Sequence, residues 1–170
     1  MIGRPEDIEA APYYFNYISK VEGDDPHVAL ESQLEEVPRF SLMISEEKSL
    51  YRYAPEKWSI RQLVNHICDT ERMSAFRAFW FARGFDSALP SYDQNLAASQ
   101  AVADTVAWPA LIEEFRRIRL STLSFFINLP SEGWMRSGIA SDNRFTVRAL
   151  AYIIAGHFTH HLALLRERYF

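Results

Sequence analysis

Four stretches of this chain repeat apolar residues at helical spacing, and none alternates convincingly in the manner of a strand. The last stretch is the most regular. Over about 146–169, Val147, Leu150, Ile154, His157, His161, Leu164 and Arg168 recur at alternating intervals of three and four without a slip. That spacing stacks their side chains on one stripe of a helix. A stripe of this kind is a core seam, so the chain is confined to a class built by packing helix on helix. It also places two of the five histidines, His157 and His161, in the seam itself.

The other three stretches carry their own start and stop signals. The first runs over about 26–45, with Asp25 as N-cap, Pro26 at the first helical position, and Leu30, Leu34, Val37 and Ile44 on its apolar side. Pro38 falls inside it and predicts a kink or a break. The second opens on a capping box, Ser59-Ile60-Arg61-Gln62, and presents Ile60, Leu63, Val64, Ile67, Ala75, Ala78 and Phe79 before Gly84 ends it. The third spans about 107–128, with Pro109 in its first turn and Leu111, Phe115, Ile118, Thr122, Phe125 and Leu129 on the buried side. Residues 85–106 form a connection long enough to cross over along the body of a bundle. Ser141-Asp142-Asn143 reads as a turn, and a short helix near 11–19 carries Tyr13, Tyr14, Phe15 and Tyr17 as anchors. The expected fold is an all-α four-helix bundle with a long crossover between helices 2 and 3. The 170 residues suit a single domain over 1–170.

Composition narrows the function. A net charge of −4 argues against sequence-independent binding to nucleic acid or to an anionic membrane. No window approaches the roughly 18 consecutive apolar residues of a membrane span. The opening Met-Ile-Gly-Arg-Pro-Glu-Asp lacks the charged-then-apolar pattern of a signal peptide. The single cysteine, Cys68, permits no intrachain disulfide, so a reducing, cytoplasmic setting is expected. There is no glycine-rich phosphate loop, GxSxG or CxxC motif.

The histidines carry the chemistry. His157 and His161 are four apart, so two imidazoles lie one above the other and can reach one metal ion. His66 is the natural third ligand. On the second helix Leu63 and Ile67 lie about 60° and 100° to one side of it, which puts it at the edge of the buried face. Spacing leaves two readings open: a metal site, or core histidines that only hydrogen-bond. His160 lies about 60° from His157 around the helix, a place beside the site or at the surface. His27, at a helix start, reads as exposed or capping.

Two segments then carry a resemblance. Lys57-Trp58-Ser59-Ile60-Arg61-Gln62-Leu63-Val64-Asn65-His66-Ile67-Cys68-Asp69-Thr70-Glu71-Arg72 resembles the second-helix motif of the DinB superfamily. Ala149-Leu150-Ala151-Tyr152-Ile153-Ile154-Ala155-Gly156-His157-Phe158-Thr159-His160-His161 resembles its closing histidine motif. Phe81-Ala82-Arg83-Gly84 and Leu89-Pro90-Ser91-Tyr92-Asp93-Gln94 are similar to one branch, related to the bacillithiol transferases. The likeness extends over about 13–169. It implies an up-down-down-up bundle with a divalent metal, nickel or zinc, on His66, His157 and His161. It further implies a homodimer, a small-molecule substrate and, for the thiol-S-transferases of the family, a low-molecular-weight thiol cosubstrate.

Other residues are candidates for support or substrate contact. Asp69 and Thr70 are near His66 in angle and could orient its free ring nitrogen. Glu71, about 140° from His66, is either support for the site or half of a core ion pair with an arginine of another helix. Arg77, about 20° off the His66 line and three turns on, could hold an anionic group with Arg83, or be a solvated charge. Asp93 could reach the mouth of the site. Cys68, about 160° from His66, should be an inert buried thiol, and the four tryptophans packing residues. The expected function is a divalent-metal-dependent hydrolase or thiol-S-transferase. The alternatives are a non-catalytic metal-binding or stress-linked module, and a plain helical dimer.

Overall fold

The structure is a computed structural model and describes residues 2–170. Its main body is four long helices: α2 (Pro26–Ser41), α3 (Ile60–Ala82), α5 (Trp108–Ile127) and α6 (Val147–Arg168). Each packs chiefly on two others, in the cycle α2–α5–α3–α6. A short α1 (Phe15–Ile18) lies on α6, and α4 (Gln94–Ala101) lies on α3. No helix among the described residues is long and apolar enough to cross a membrane.

The start of α3 is built as its sequence dictates. Ser59 Oγ accepts from the Gln62 N–H at 3.0 Å, and Gln62 Oε1 accepts from the Ser59 N–H at 3.0 Å. Asp25 caps α2, and Gly84 leaves α3 with φ +80°, a conformation that costs glycine little. The expected break at Pro38 does not occur: α2 runs through it and ends three residues later, short of residue 45. Pro38 forfeits one backbone hydrogen bond to the preceding turn, while Val37 and Phe40 remain buried and hold the last turn.

One further expectation is refined. The chain is mostly helical but not all-α, because β1 (Ser137–Ala140) and β2 (Asn143–Thr146) form an antiparallel hairpin. Four-residue strands are too short to display a period of two. The hairpin turn is Ser141-Asp142, both left-handed with φ of +49° and +60°, the backbone a two-residue hairpin loop requires. The 85–106 crossover carries structure of its own. It contains α4, capped by Asp93, and Leu89 pairs with β1 through Leu89 N–H to Ile139 O at 2.9 Å and Ser141 N–H to Leu89 O at 3.1 Å.

The core is divided. One apolar cluster gathers Leu30, Phe81, Phe126, Phe145 and Leu150; the other gathers Phe40, Leu63, Leu111, Phe115 and Leu162. A polar layer separates them and joins all four long helices. Arg119 of α5 grips Glu71 of α3 through Nε to Oε1 at 2.9 Å and Nη2 to Oε2 at 2.9 Å. Its Nη1 donates to Gln33 Oε1 of α2 at 2.7 Å, and Gln33 Nε2 donates to Ala155 O of α6 at 2.9 Å. Arg119 is completely buried, so its charge is matched inside the protein rather than by water.

The α1–α6 contact depends on Gly156. A Cβ there would fall 2.0 Å from the Tyr17 carbonyl oxygen, a backbone atom that cannot rotate away. Gly156→Ala is therefore expected to destabilise the protein by about 2–3 kcal/mol, the scale of overpacking, by lifting α1 from α6. Urea denaturation measures it; unchanged stability would mean that α1 yields freely.

Candidate functional site

Packing of α3 against α6 brings three histidines to one point. His66 Nε2 lies 3.1 Å from His157 Nε2, and His161 Nε2 lies 3.0 Å from the same atom. One nitrogen of each ring falls within 4.8 Å of the others, and all three residues are buried. The rings meet edge to face, with centroids 4.4–4.9 Å apart.

Hydrogen bonding among the rings does not account for this arrangement. The Nε2 of neutral His157 carries either one proton or one lone pair, so it supports one good hydrogen bond, not two. His161 Nδ1 is buried without a partner. Burial holds His66 down to about 4 and His161 down to about 3, with the neighbouring histidines adding to the effect on His161. His157, enclosed further, lies well below its ordinary value for the same reasons. Three neutral imidazoles with converging nitrogens fit a cation about 2.0–2.1 Å from each. Among the described residues no fourth histidine, cysteine or carboxylate joins the group.

The same ionisation sets a pH dependence. An unfolded histidine protonates near 6.5, whereas these stay neutral in the fold until about 4 and 3. The unfolded chain thus binds more protons in between, and stability present above about 6.5 is lost as pH falls through that window. Each such histidine contributes about 1.4 kcal/mol per pH unit. The urea midpoint of metal-free protein is expected to drop between pH 7.0 and 5.5. A constant midpoint would mean that the three ionise in the folded state.

Around the rings, Thr70 Oγ1 makes a long 3.5 Å contact with His66 Nδ1. The Trp58 ring packs on His66 at 4.9 Å, and the Tyr17 ring stands edge-on to His157 at 5.3 Å. His160 is half-buried between Tyr17 and His161, at 5.5 and 4.9 Å, outside the converging set. Beyond His157 opens a cavity of about 130 Å³, whose walls include Tyr17, Thr70, Ser74, Arg77 and Tyr92. The Tyr92 hydroxyl is buried without a partner, and burial, aided by the Asp69 charge, pushes it up to about 12.

Several candidate residues lie elsewhere. Glu71 gives the site nothing, because Arg119 holds both its oxygens. Asp69 does not orient His66; it accepts from Asn65 Nδ2 at 2.8 Å and Arg72 Nη1 at 3.1 Å. Arg83 is exposed and stacks on Phe79 and Phe125, and Asp93 is spent on capping α4. Cys68 is buried, and burial drives its thiol far up. His27 bonds Asp25 at 3.0 Å. Arg77 departs from the solvated reading: it is 4% exposed and lines the cavity. Tyr17, Tyr92 and Ser141 escape a sequence reading, since loops and α1 bring them in. Trp58 had one available signal, its place eight residues before His66 at the mouth of α3.

The fold has a solved counterpart. The structure superimposes on YfiT from Bacillus subtilis with a TM-score of 0.73 and 15% identity, covering 96% of this chain and 89% of that one. That protein is described as a probable metal-dependent hydrolase with an unusual four-helix bundle topology. At this identity the likeness shows a shared four-helix bundle fold. No curated protein matches the chain at a significant level. The model of one family, however, matches residues 29–165 and takes in all three converging histidines: the chain belongs to the DinB superfamily.

Proposed function

We propose that the protein is a divalent-metal-dependent enzyme in which His66, His157 and His161 hold the ion and the cavity beside His157 receives a small molecule. The observation that carries this reading is the convergence of three buried, neutral imidazole nitrogens with no fourth protein ligand among the described residues. Three ligands leave a position open, the catalytic type of site. A divalent cation supplies Lewis acidity there, enough to bring a coordinated water or thiol to ionisation near neutral pH. The chain does the rest: Thr70 steadies His66, while Trp58 and Tyr17 wall the rings from solvent.

Hydrolysis is the first activity to test, in keeping with the description of YfiT. Thiol transfer fits the same site: among the described residues no Asp or Glu lines the cavity, and neither a coordinated water nor a coordinated thiol needs one as base. The thiol must come from a cosubstrate, since Cys68 is enclosed in the core. Nickel or zinc suits an all-imidazole set. The order in which α2 and α6 cross the two core clusters, opposite to that of α3 and α5, supports an up-down-down-up bundle forming one domain. A cytoplasmic homodimer completes the reading. A non-catalytic module with a structural ion would show a shell closed by protein ligands.

Zinc- and nickel-loaded protein should turn over p-nitrophenyl esters, or transfer a small thiol to a bimane halide, and lose that activity in chelator. Turnover that survives complete metal removal would contradict the reading.

A further inference from the structure

Arg77 is a buried cation without an anion. It is 4% exposed, yet its Nη2 donates only to neutral oxygens, Pro90 O at 2.9 Å and Ser141 Oγ at 2.8 Å. Its other neighbour is the Tyr14 phenol, and no carboxylate faces it among the described residues. A buried charge is ordinarily paired, because leaving it unpaired costs several kcal/mol. The guanidinium is moreover held in place. The crossover supplies Pro90 O, and the left-handed hairpin turn supplies Ser141 Oγ.

Arg77 and His157 line the same cavity. Among the described residues its wall contains no aspartate, glutamate or lysine, and Arg77 is the only formal charge on it. Hydroxyls of Ser74, Ser141 and Tyr92 surround the space, and that of Tyr92 is buried with no partner of its own. One cation among neutral donors complements one negative charge. A dianionic phosphate would leave a net charge buried. A carboxylate can accept one hydrogen bond from the guanidinium N–H groups that Pro90 O and Ser141 Oγ leave free, and another from the Tyr92 hydroxyl. The cavity of about 130 Å³ also compares with the roughly 150 Å³ that takes up one benzene.

We propose that Arg77, with Ser141 and Tyr92, forms a subsite for the carboxylate of a small monoanionic substrate whose other end points toward the three histidines. The direction of that other end rests on the metal-site reading; the carboxylate subsite does not. It makes Arg77 a binding residue that fixes the register of the substrate.

The test uses benzoate and its uncharged analogue benzamide as probes of the full-length protein, followed by amide and arginine side-chain NMR shifts. Benzoate is expected to perturb Arg77 and Ser141 and to bind at least tenfold more tightly than benzamide. Arg77→Gln should erase that preference, and Arg77→Lys should restore part of it. The wild-type comparison needs no variant, so a misfolded Arg77→Gln does not rescue the idea. Equal affinity for the two probes, or a preference that survives in folded Arg77→Gln, overturns it. Zinc content is measured on the same samples. Zinc without carboxylate preference removes the subsite and leaves the metal reading; carboxylate preference without zinc does the reverse.

Discussion

His157→Ala is expected to lower affinity for zinc or nickel by more than about a hundredfold. Loss of a mere supporting partner costs 10–100-fold, and His157 is more than that. Its Nε2 is the atom to which both other nitrogens are close, at 3.1 and 3.0 Å. Removing it leaves the ion only two protein ligands, His66 and His161. His160→Ala, by contrast, should change affinity only a few-fold, because that ring lies outside the converging set. Calorimetric titration of untagged protein measures both. Comparable losses in the two variants would mean that the ion sits elsewhere on α6.

The second large effect concerns stability. Breaking the Glu71–Arg119 pair by Arg119→Met should cost about 3–5 kcal/mol, because it strands a buried carboxylate. Glu71 is 2% exposed and has no other strong donor. Replacing both, as Glu71→Leu with Arg119→Met, should recover most of the loss, since a well-packed apolar pair avoids the desolvation of two ions. Gln33 would keep its bond to Ala155 O in either case. Urea denaturation of the two single variants and the double variant measures the coupling. Purely additive losses would show that the pair does not act as a unit.

Much of this structure is legible in the chain because its helices obey local rules. The Ser59–Gln62 box, the Asp25 cap and Gly84 mark ends that the folded protein keeps. The three-and-four stripe of α6 brings His157 and His161 to one face, and the angular place of His66 brings it to meet them. What escapes is whatever tertiary structure decides. Angle on α3 puts Arg77 almost in line with His66, but only the crossover and the hairpin turn reveal that its charge is enclosed. Glu71 likewise has two readings on its own helix, and Arg119, forty-eight residues away, chooses between them. The hairpin is invisible because strands of four residues carry too little pattern, and α2 continues through Pro38 because the burial of Val37 and Phe40 offsets the hydrogen bond that the proline forfeits.

On the proposed function, three imidazoles hold a divalent ion and leave a position free beside the cavity. X-ray absorption at the metal edge, on untagged protein loaded with nickel or zinc, examines it most directly. The expected result is one ion per chain, three imidazole nitrogens at about 2.0–2.1 Å, and at least one further light-atom ligand from solvent. An ion absent at stoichiometric loading, or a shell closed by four protein ligands, would contradict it.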